Sequence, residues 1–307
     1  MNRKVSILGA GNVGSLSAMR IAEEFASDVV LIDIASGMAK AKALDLEDAR
    51  NIRKINYTVA GSDDISLISG SEIVVITAGL TRKPGMQREE LIQKNASIVK
   101  ELCLSIKKFS PDAIVIVVTN PLDLMTRLAL KTLGFKSSKV FGMGPTLDAS
   151  RFANLIAERL NIPVSEVDAV VIGSHGEGMM PLPNFTTIRG LPLEQFMDEQ
   201  KVAEVMAGTV GRGQEIVSLL GSGSAFFAPS AAVADLVKII FKDQKRTVGL
   251  SACLSGQYQA NDICIGVPCR LGREGIEQII ELPLESKQAQ AFLNSAAHLK
   301  ELAEKYL

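Results

Sequence analysis

The chain has 307 residues, with 33 Lys and Arg against 34 Asp and Glu for a formal net charge of -1, 47% apolar residues, 4 Cys, 2 His and no Trp. That balance supplies no basic field for nucleic acid or an anionic membrane, so a charged ligand must be met by a few placed side chains, and a small molecule is the expected partner. The apolar fraction excludes a disordered chain, and the length suits two domains of roughly 100 to 200 residues or one large one.

Short β-branched runs alternate with helical patterns through the first half. The runs Lys4 to Gly9, Val29 to Asp33, Tyr57 to Ala60, Ile73 to Thr77, Ile114 to Thr119 and Val140 to Gly142 predict buried strands. Between them, Val13 to Phe25 and Leu91 to Phe109 repeat apolar residues at helical spacing. Arg3 and Lys4 before the first apolar run imitate a secretory signal, but Gly9, Gly11 and Gly14 would break a signal helix. No apolar stretch approaches the roughly 18 residues of a membrane helix, so a cytoplasmic protein without membrane contact is expected. Strand, helix and strand in repetition predict a Rossmann-type, doubly wound parallel sheet.

After Gly144 the rhythm changes. Thr146 to Leu160 reads as a long helix and Val167 to Ile172 as one strand running into Ser174-His175-Gly176. Lys201 to Leu220 reads as a helix that a glycine- and serine-containing link joins to Pro229 to Phe241, Arg246 to Val267 as antiparallel strands, and Glu285 to Leu307 as a terminal amphipathic helix. The expected division is therefore residues 1–143 as a nucleotide-binding domain and 144–307 as an α+β substrate domain. The thiols of Cys103, Cys253, Cys264 and Cys269 form no CxxC pair and have apolar neighbours, which predicts buried reduced side chains and no metal.

Gly9-Ala10-Gly11-Asn12-Val13-Gly14 is a GxGxxG element between a predicted strand and helix, with Asp33 at the end of the next strand, about twenty residues on. Gly9 permits the turn, Gly11 lets the backbone approach a pyrophosphate, and Gly14 lets helix and strand pack closely. The free N-H groups of the helix start face the phosphates, while Asp33 accepts ribose hydroxyls and repels a 2'-phosphate. NAD is the expected cofactor. The competing reading is a plain tight turn with Asp33 capping the next helix.

Three further segments carry polar groups beyond what a fold requires. The loop Gly79 to Arg88 holds Arg82, Lys83 and Arg88 after the fourth strand, and is either a ligand loop or a solvated one. Asn120, in Thr119-Asn120-Pro121, is either a site residue or a helix N-cap. Asp148 and Arg151 share a helix face, as a site pair or as a surface ion pair. His175 lies between small residues after an apolar strand and is the candidate acid-base group, whereas His298 falls on the polar face of the terminal helix.

Taken together, Gly9 to Gly14, Thr77-Ala78-Gly79 with Arg82-Lys83-Pro84-Gly85, Thr119-Asn120-Pro121, Leu147-Asp148 with Arg151-Phe152, and His175-Gly176 resemble the lactate and malate dehydrogenase superfamily in order and spacing. The resemblance continues through Gly221 to Pro229, Lys242 to Arg246 and Gly266-Val267-Pro268. It is nearest to the malate dehydrogenases that are similar to lactate dehydrogenases. The resemblance implies that His175 carries the proton, Asp148 orients it, and Arg151 grips the substrate's C1 carboxylate. It further implies that Arg88 polarises the C2 oxygen as a loop closes and that Asn120 binds near that oxygen. Arg82 takes the discriminating position, and Gly9, Gly11, Asn12, Val13, Gly14, Asp33, Thr77, Ala78, Gly79, Asn95, Thr119 and Asn120 form the NAD site. A homodimer or homotetramer is implied as well.

The resemblance leaves the substrate to charge. Arg151 satisfies the one carboxylate of lactate, whereas malate brings a second that Arg82 would meet. A monocarboxylate would leave Arg82 unpaired in a closed pocket, costing about 2 to 5 kcal/mol. Malate dehydrogenase activity is therefore expected. The alternatives are a lactate or broader 2-hydroxy acid dehydrogenase, or a non-catalytic NAD-binding redox sensor.

Overall fold

In the computed structural model, residues 3–25, 27–80 and 87–307 are described. Lys4–Leu8 (β1), Asp28–Ile32 (β2), Thr58–Ser62 (β3), Ile73–Ile76 (β4), Ile114–Val117 (β5) and Val140–Gly142 (β6) pair in the order β3-β2-β1-β4-β5-β6, all parallel. The four-residue β4 and β5 are wholly Val and Ile and wholly buried, the pattern of strands covered on both faces. The helices Asn12–Phe25 (α1), Ser36–Arg53 (α2), Arg88–Phe109 (α3) and Leu122–Leu133 (α4) provide the crossovers. Strand order reverses between β1 and β4, which opens a crevice at their carboxyl ends, where open α/β sheets bind ligands.

The second half begins with Gly144–Leu160 (α5), which starts two residues before the predicted Thr146. Val167–Asp168 (β7), Val171–Gly173 (β8), Met179–Pro181 (β9), Thr187–Ile188 (β10) and Leu191–Pro192 (β11) follow. Then come Glu199–Leu220 (α6), Phe227–Phe241 (α7), Arg246–Ser255 (β12), Asn261–Gly272 (β13), Gly275–Ile279 (β14) and Ser286–Tyr306 (α8). The predicted strand Val167 to Ile172 is broken. Its first part joins a small sheet, β11-β10-β7, and its second joins the main sheet beside β13. The Val170 amide donates to the Thr186 hydroxyl and its carbonyl accepts from Leu182, and these bonds turn the chain between the two sheets.

The long antiparallel hairpin β12-β13 extends the parallel sheet through the pairing of Ser251 with Gly142, and it carries β8 on its far side through Gly266 and Gly173. The main core runs along this sheet, with Phe141 and Phe292 fully buried. A second core, around Phe152, Ile156, Val171, Met179 and Leu193, fixes α5 against α6 and the small sheet. All four cysteines are free thiols, with Cys103, Cys264 and Cys269 buried and Cys253 partly accessible. His298 is exposed on α8, as the sequence pattern predicts. Among the described residues, no helix is long and apolar enough to cross a membrane.

Candidate active site

The cofactor motif lies at the switch between β1 and β4. Gly9 has a φ of 112°, and a Cβ there would sit 2.6 Å from the Ala78 nitrogen, so the turn requires glycine. A Cβ on Gly14 would run into the Gly9 carbonyl oxygen, which is the close helix-to-strand contact expected of it. Gly11 is exposed, with nothing within 4 Å of its added Cβ. The start of α1 therefore presents open backbone at Gly11 and Asn12, which suits an approaching pyrophosphate.

Around this turn the other predicted cofactor residues converge. The Asp33 carboxylate accepts from the Ala10 amide at 2.7 Å and from the Ala35 amide at 3.0 Å. A carboxylate has about four acceptor sites, so capacity for ribose hydroxyls remains. Asp33 does not act as the N-cap of α2, which is Ala35. The Thr77 hydroxyl donates to the Gly9 carbonyl at 2.9 Å and Thr119 donates to the Ala78 carbonyl at 2.7 Å, tying the strand ends together. Lys42 adds a bond to the Ala10 carbonyl at 2.6 Å that the sequence did not suggest.

Asn95 on α3 is fully buried. Its amide oxygen accepts from the Leu80 backbone at 2.7 Å, and its amide nitrogen donates to the carbonyls of Leu80 and Asn120. It therefore shapes both loops through their backbones. Asn120 itself is exposed, and Pro121 occupies the N-cap of α4 with no side-chain cap, so the capping alternative for Asn120 falls.

The chemical groups meet on α5 and in the segment after β8. His175 Nδ1 faces Asp148 Oδ2 at 2.8 Å, while an Arg151 terminal nitrogen lies 3.5 Å from the other Asp148 oxygen. The Asp148 side chain is 1% exposed, Arg151 12% and His175 14%, which rules out the surface ion-pair reading. Burial lowers the proton affinity of His175, but the Asp148 charge and hydrogen bond and the Asp123 charge outweigh it, and the pKa is raised. Burial also lowers the Arg151 pKa against the pull of Asp148, with Arg212 adding repulsion. Arg151 is thus a largely desolvated cation with a long, one-nitrogen ion pair to a carboxylate it shares, an environment that favours an incoming anion.

Two side chains at this centre were not singled out from sequence. Asp123, in the first turn of α4, accepts from the His175 backbone amide at 2.8 Å and from the buried Ser251 hydroxyl at 2.6 Å. The acid following Asn120-Pro121 was a visible signal, but it reads equally as a helix-dipole partner. Arg82 lies outside the described residues, as does the side chain of Arg88.

A sequence profile described as "lactate/malate dehydrogenase, NAD binding domain" matches residues 3–142, and one described as "lactate/malate dehydrogenase, alpha/beta C-terminal domain" matches residues 145–307. Malate dehydrogenase of Methanosarcina acetivorans is 45% identical over 297 residues, covering 97% of each chain. The crystal structure of Cryptosporidium parvum malate dehydrogenase superposes with a TM-score of 0.97 at 35% identity, covering 100% of this chain and 99% of that one. A Cryptosporidium parvum lactate dehydrogenase, solved with lactic acid and nicotinamide adenine dinucleotide, gives 0.96 at 34% identity, with 100% and 98% covered.

Proposed function

We propose that this chain, which belongs to the lactate/malate dehydrogenase family, catalyses the reversible, NAD-linked interconversion of malate and oxaloacetate with His175 as its proton carrier. The observation that carries the reading is the sharing of one buried carboxylate, Asp148, between an imidazole and a guanidinium. That arrangement holds a proton acceptor from the segment after β8 and an anion grip from α5 against the same carboxylate, which suits a substrate whose hydroxyl and carboxylate are on adjacent carbons. The similarity of the chain to proteins named malate dehydrogenase supports the substrate over lactate.

The open backbone at Gly11 and Asn12, with Asp33 beyond it, fits a dinucleotide, and the Asp33 charge favours NAD over its 2'-phosphorylated form. Bound there, the nicotinamide would accept a hydride from malate or return one to oxaloacetate. The protein supplies the rest. Neutral His175 takes the C2 hydroxyl proton on Nε2, the atom left free by the Nδ1 bond to Asp148, and Asp148 stabilises the imidazolium that forms. In the other direction the imidazolium gives that proton to the C2 oxygen. Arg151 holds the C1 carboxylate through paired hydrogen bonds. Arg82 meets the distal carboxylate, and Arg88 and Asn120 bind near the C2 oxygen. Asn95 and Thr119 hold the surrounding loops.

In this reading the chain divides near Met143 into a cofactor half and a substrate half. The protein works in the cytoplasm as a homodimer or homotetramer. Apolar side chains left exposed on α2 (Leu44, Ile52) and α6 (Leu219, Leu220) support association. The test is NADH absorbance with oxaloacetate and pyruvate in parallel, repeated with NADPH. Preferential consumption of NADH with oxaloacetate supports the reading, and equal or faster turnover of pyruvate overturns it.

A further inference from the structure

We propose that Asp123 is a positioning residue for His175, clamping its backbone amide and setting a second buried carboxylate at the centre where Asp148 holds the ring. The inference rests on the reading of His175 as proton carrier and extends it. Three separate elements converge on this carboxylate. Asp123 comes from α4, Ser251 from β12 and His175 from the segment after β8. Both Asp123 oxygens are used outside their own helix, one on the His175 amide at 2.8 Å and one on the Ser251 hydroxyl at 2.6 Å. An acid serving only the helix dipole would turn an oxygen toward the amides of its own first turn.

The segment that holds His175 needs such a clamp. The main-sheet pairing of β8 to β13 ends at Gly173, and Gly173 and Gly176 both have positive φ, at 89° and 109°. The His175 amide bonds to the Asp123 side chain, so the residue is held at two points: its backbone by Asp123 and its ring by Asp148. Slack at the first point moves Nε2 relative to the substrate, and misplacement of about 1 Å costs on the order of 100-fold in rate.

Electrostatics join the two acids. Asp123 is fully buried, and loss of water raises its pKa to about 6 although the Ser251 bond, the His175 charge and the His175 amide pull it down. Among the described residues, the other charged or titratable groups that interact with this centre are Asp148 and Arg151 from α5 and Cys264 from β13. Arg127, one turn along α4, is paired with Asp262 at 2.6 Å. With Asp148 and Asp123 both ionised, each favours the imidazolium. Reduction of the keto acid requires that imidazolium, so its rate falls as pH rises through the His175 pKa. Removing one of the two charges lowers that pKa and brings the fall to lower pH.

The experiment is the pH profile of kcat/KM for oxaloacetate reduction in Asp123→Asn and Ser251→Ala, with NADH affinity measured by fluorescence. Asp123→Asn is expected to keep NADH affinity, lose about 10- to 100-fold in kcat, change KM less than kcat, and move the alkaline limb to lower pH. Ser251→Ala removes a bond that keeps Asp123 ionised, and so moves the limb the same way by less. If Asp123→Asn does not fold, Ser251→Ala decides. An unmoved limb in the folded variant overturns the inference, even if the protein melts earlier. His175→Asn separates the two levels. Retained turnover there removes the histidine from the mechanism, whereas lost turnover with an unmoved limb in Asp123→Asn removes Asp123 alone.

Discussion

Gly144, the first residue of α5, lies directly against the imidazole of His175: a Cβ at this position would sit 2.7 Å from the ring's Cγ and 2.8 Å from Nδ1. The glycine therefore sets how closely the ring can pack on the helix that carries Asp148. Gly144→Ala should push the ring away and lower kcat by about 10- to 100-fold, with NADH affinity unchanged because the cofactor turn is formed by β1 and α1. Single-turnover kinetics together with NADH fluorescence check this, and a wild-type kcat would show that the ring has room to give.

The raised proton affinity of His175 fixes the direction of the pH dependence. The folded pKa lies above the ordinary histidine value, so oxaloacetate reduction should persist past pH 6.5 and fall only as pH rises further, while malate oxidation should gain over the same interval. Stability has the same sign. The His175 contribution is full below the unfolded pKa and is lost as pH rises through the folded one. Profiles of kcat/KM in both directions measure the midpoint, and a midpoint below 6.5 would mean that burial outweighs the neighbouring carboxylates.

Arg151→Lys keeps the positive charge but gives up the planar pair of donors. The variant should lose about 100-fold or more in kcat/KM for oxaloacetate, with NADH binding intact. Equal activity in the lysine variant would mean that charge alone holds the C1 carboxylate.

Asp33→Ser should remove the repulsion of a 2'-phosphate and raise kcat/KM for NADPH while lowering that for NADH. An unchanged cofactor ratio would limit Asp33 to its bonds with the Ala10 and Ala35 amides.

Much of this architecture is legible in the sequence because its signals are local. The strand-glycine-helix order around Gly9 to Gly14 and the Val and Ile runs of β4 and β5 depend on neighbours along the chain. What depends on neighbours in space is harder to read. The spacing of Asp148 and Arg151 suits a surface pair or a site equally, and only the packing of α5 against α6 and β12 separates them. Val167 to Ile172 looks like one strand because the bonds that divide it come from Leu182 and Thr186. Asp123 is hidden for the same reason, since its partners are far along the chain, at positions 175 and 251. Asn95 shows the converse. The resemblance places it in the cofactor site, and the fold shows its amide engaged with backbone.

The choice of a dicarboxylic substrate is tested most directly by the ratio of kcat/KM for oxaloacetate to that for pyruvate, measured by NADH absorbance in the wild-type protein and in Arg82→Gln. An unpaired buried cation costing about 2 to 5 kcal/mol corresponds to roughly 30- to 3,000-fold discrimination. A wild-type ratio in that range is expected, with its collapse in the glutamine variant. A wild-type ratio near one, or a ratio untouched by the substitution, would contradict that choice.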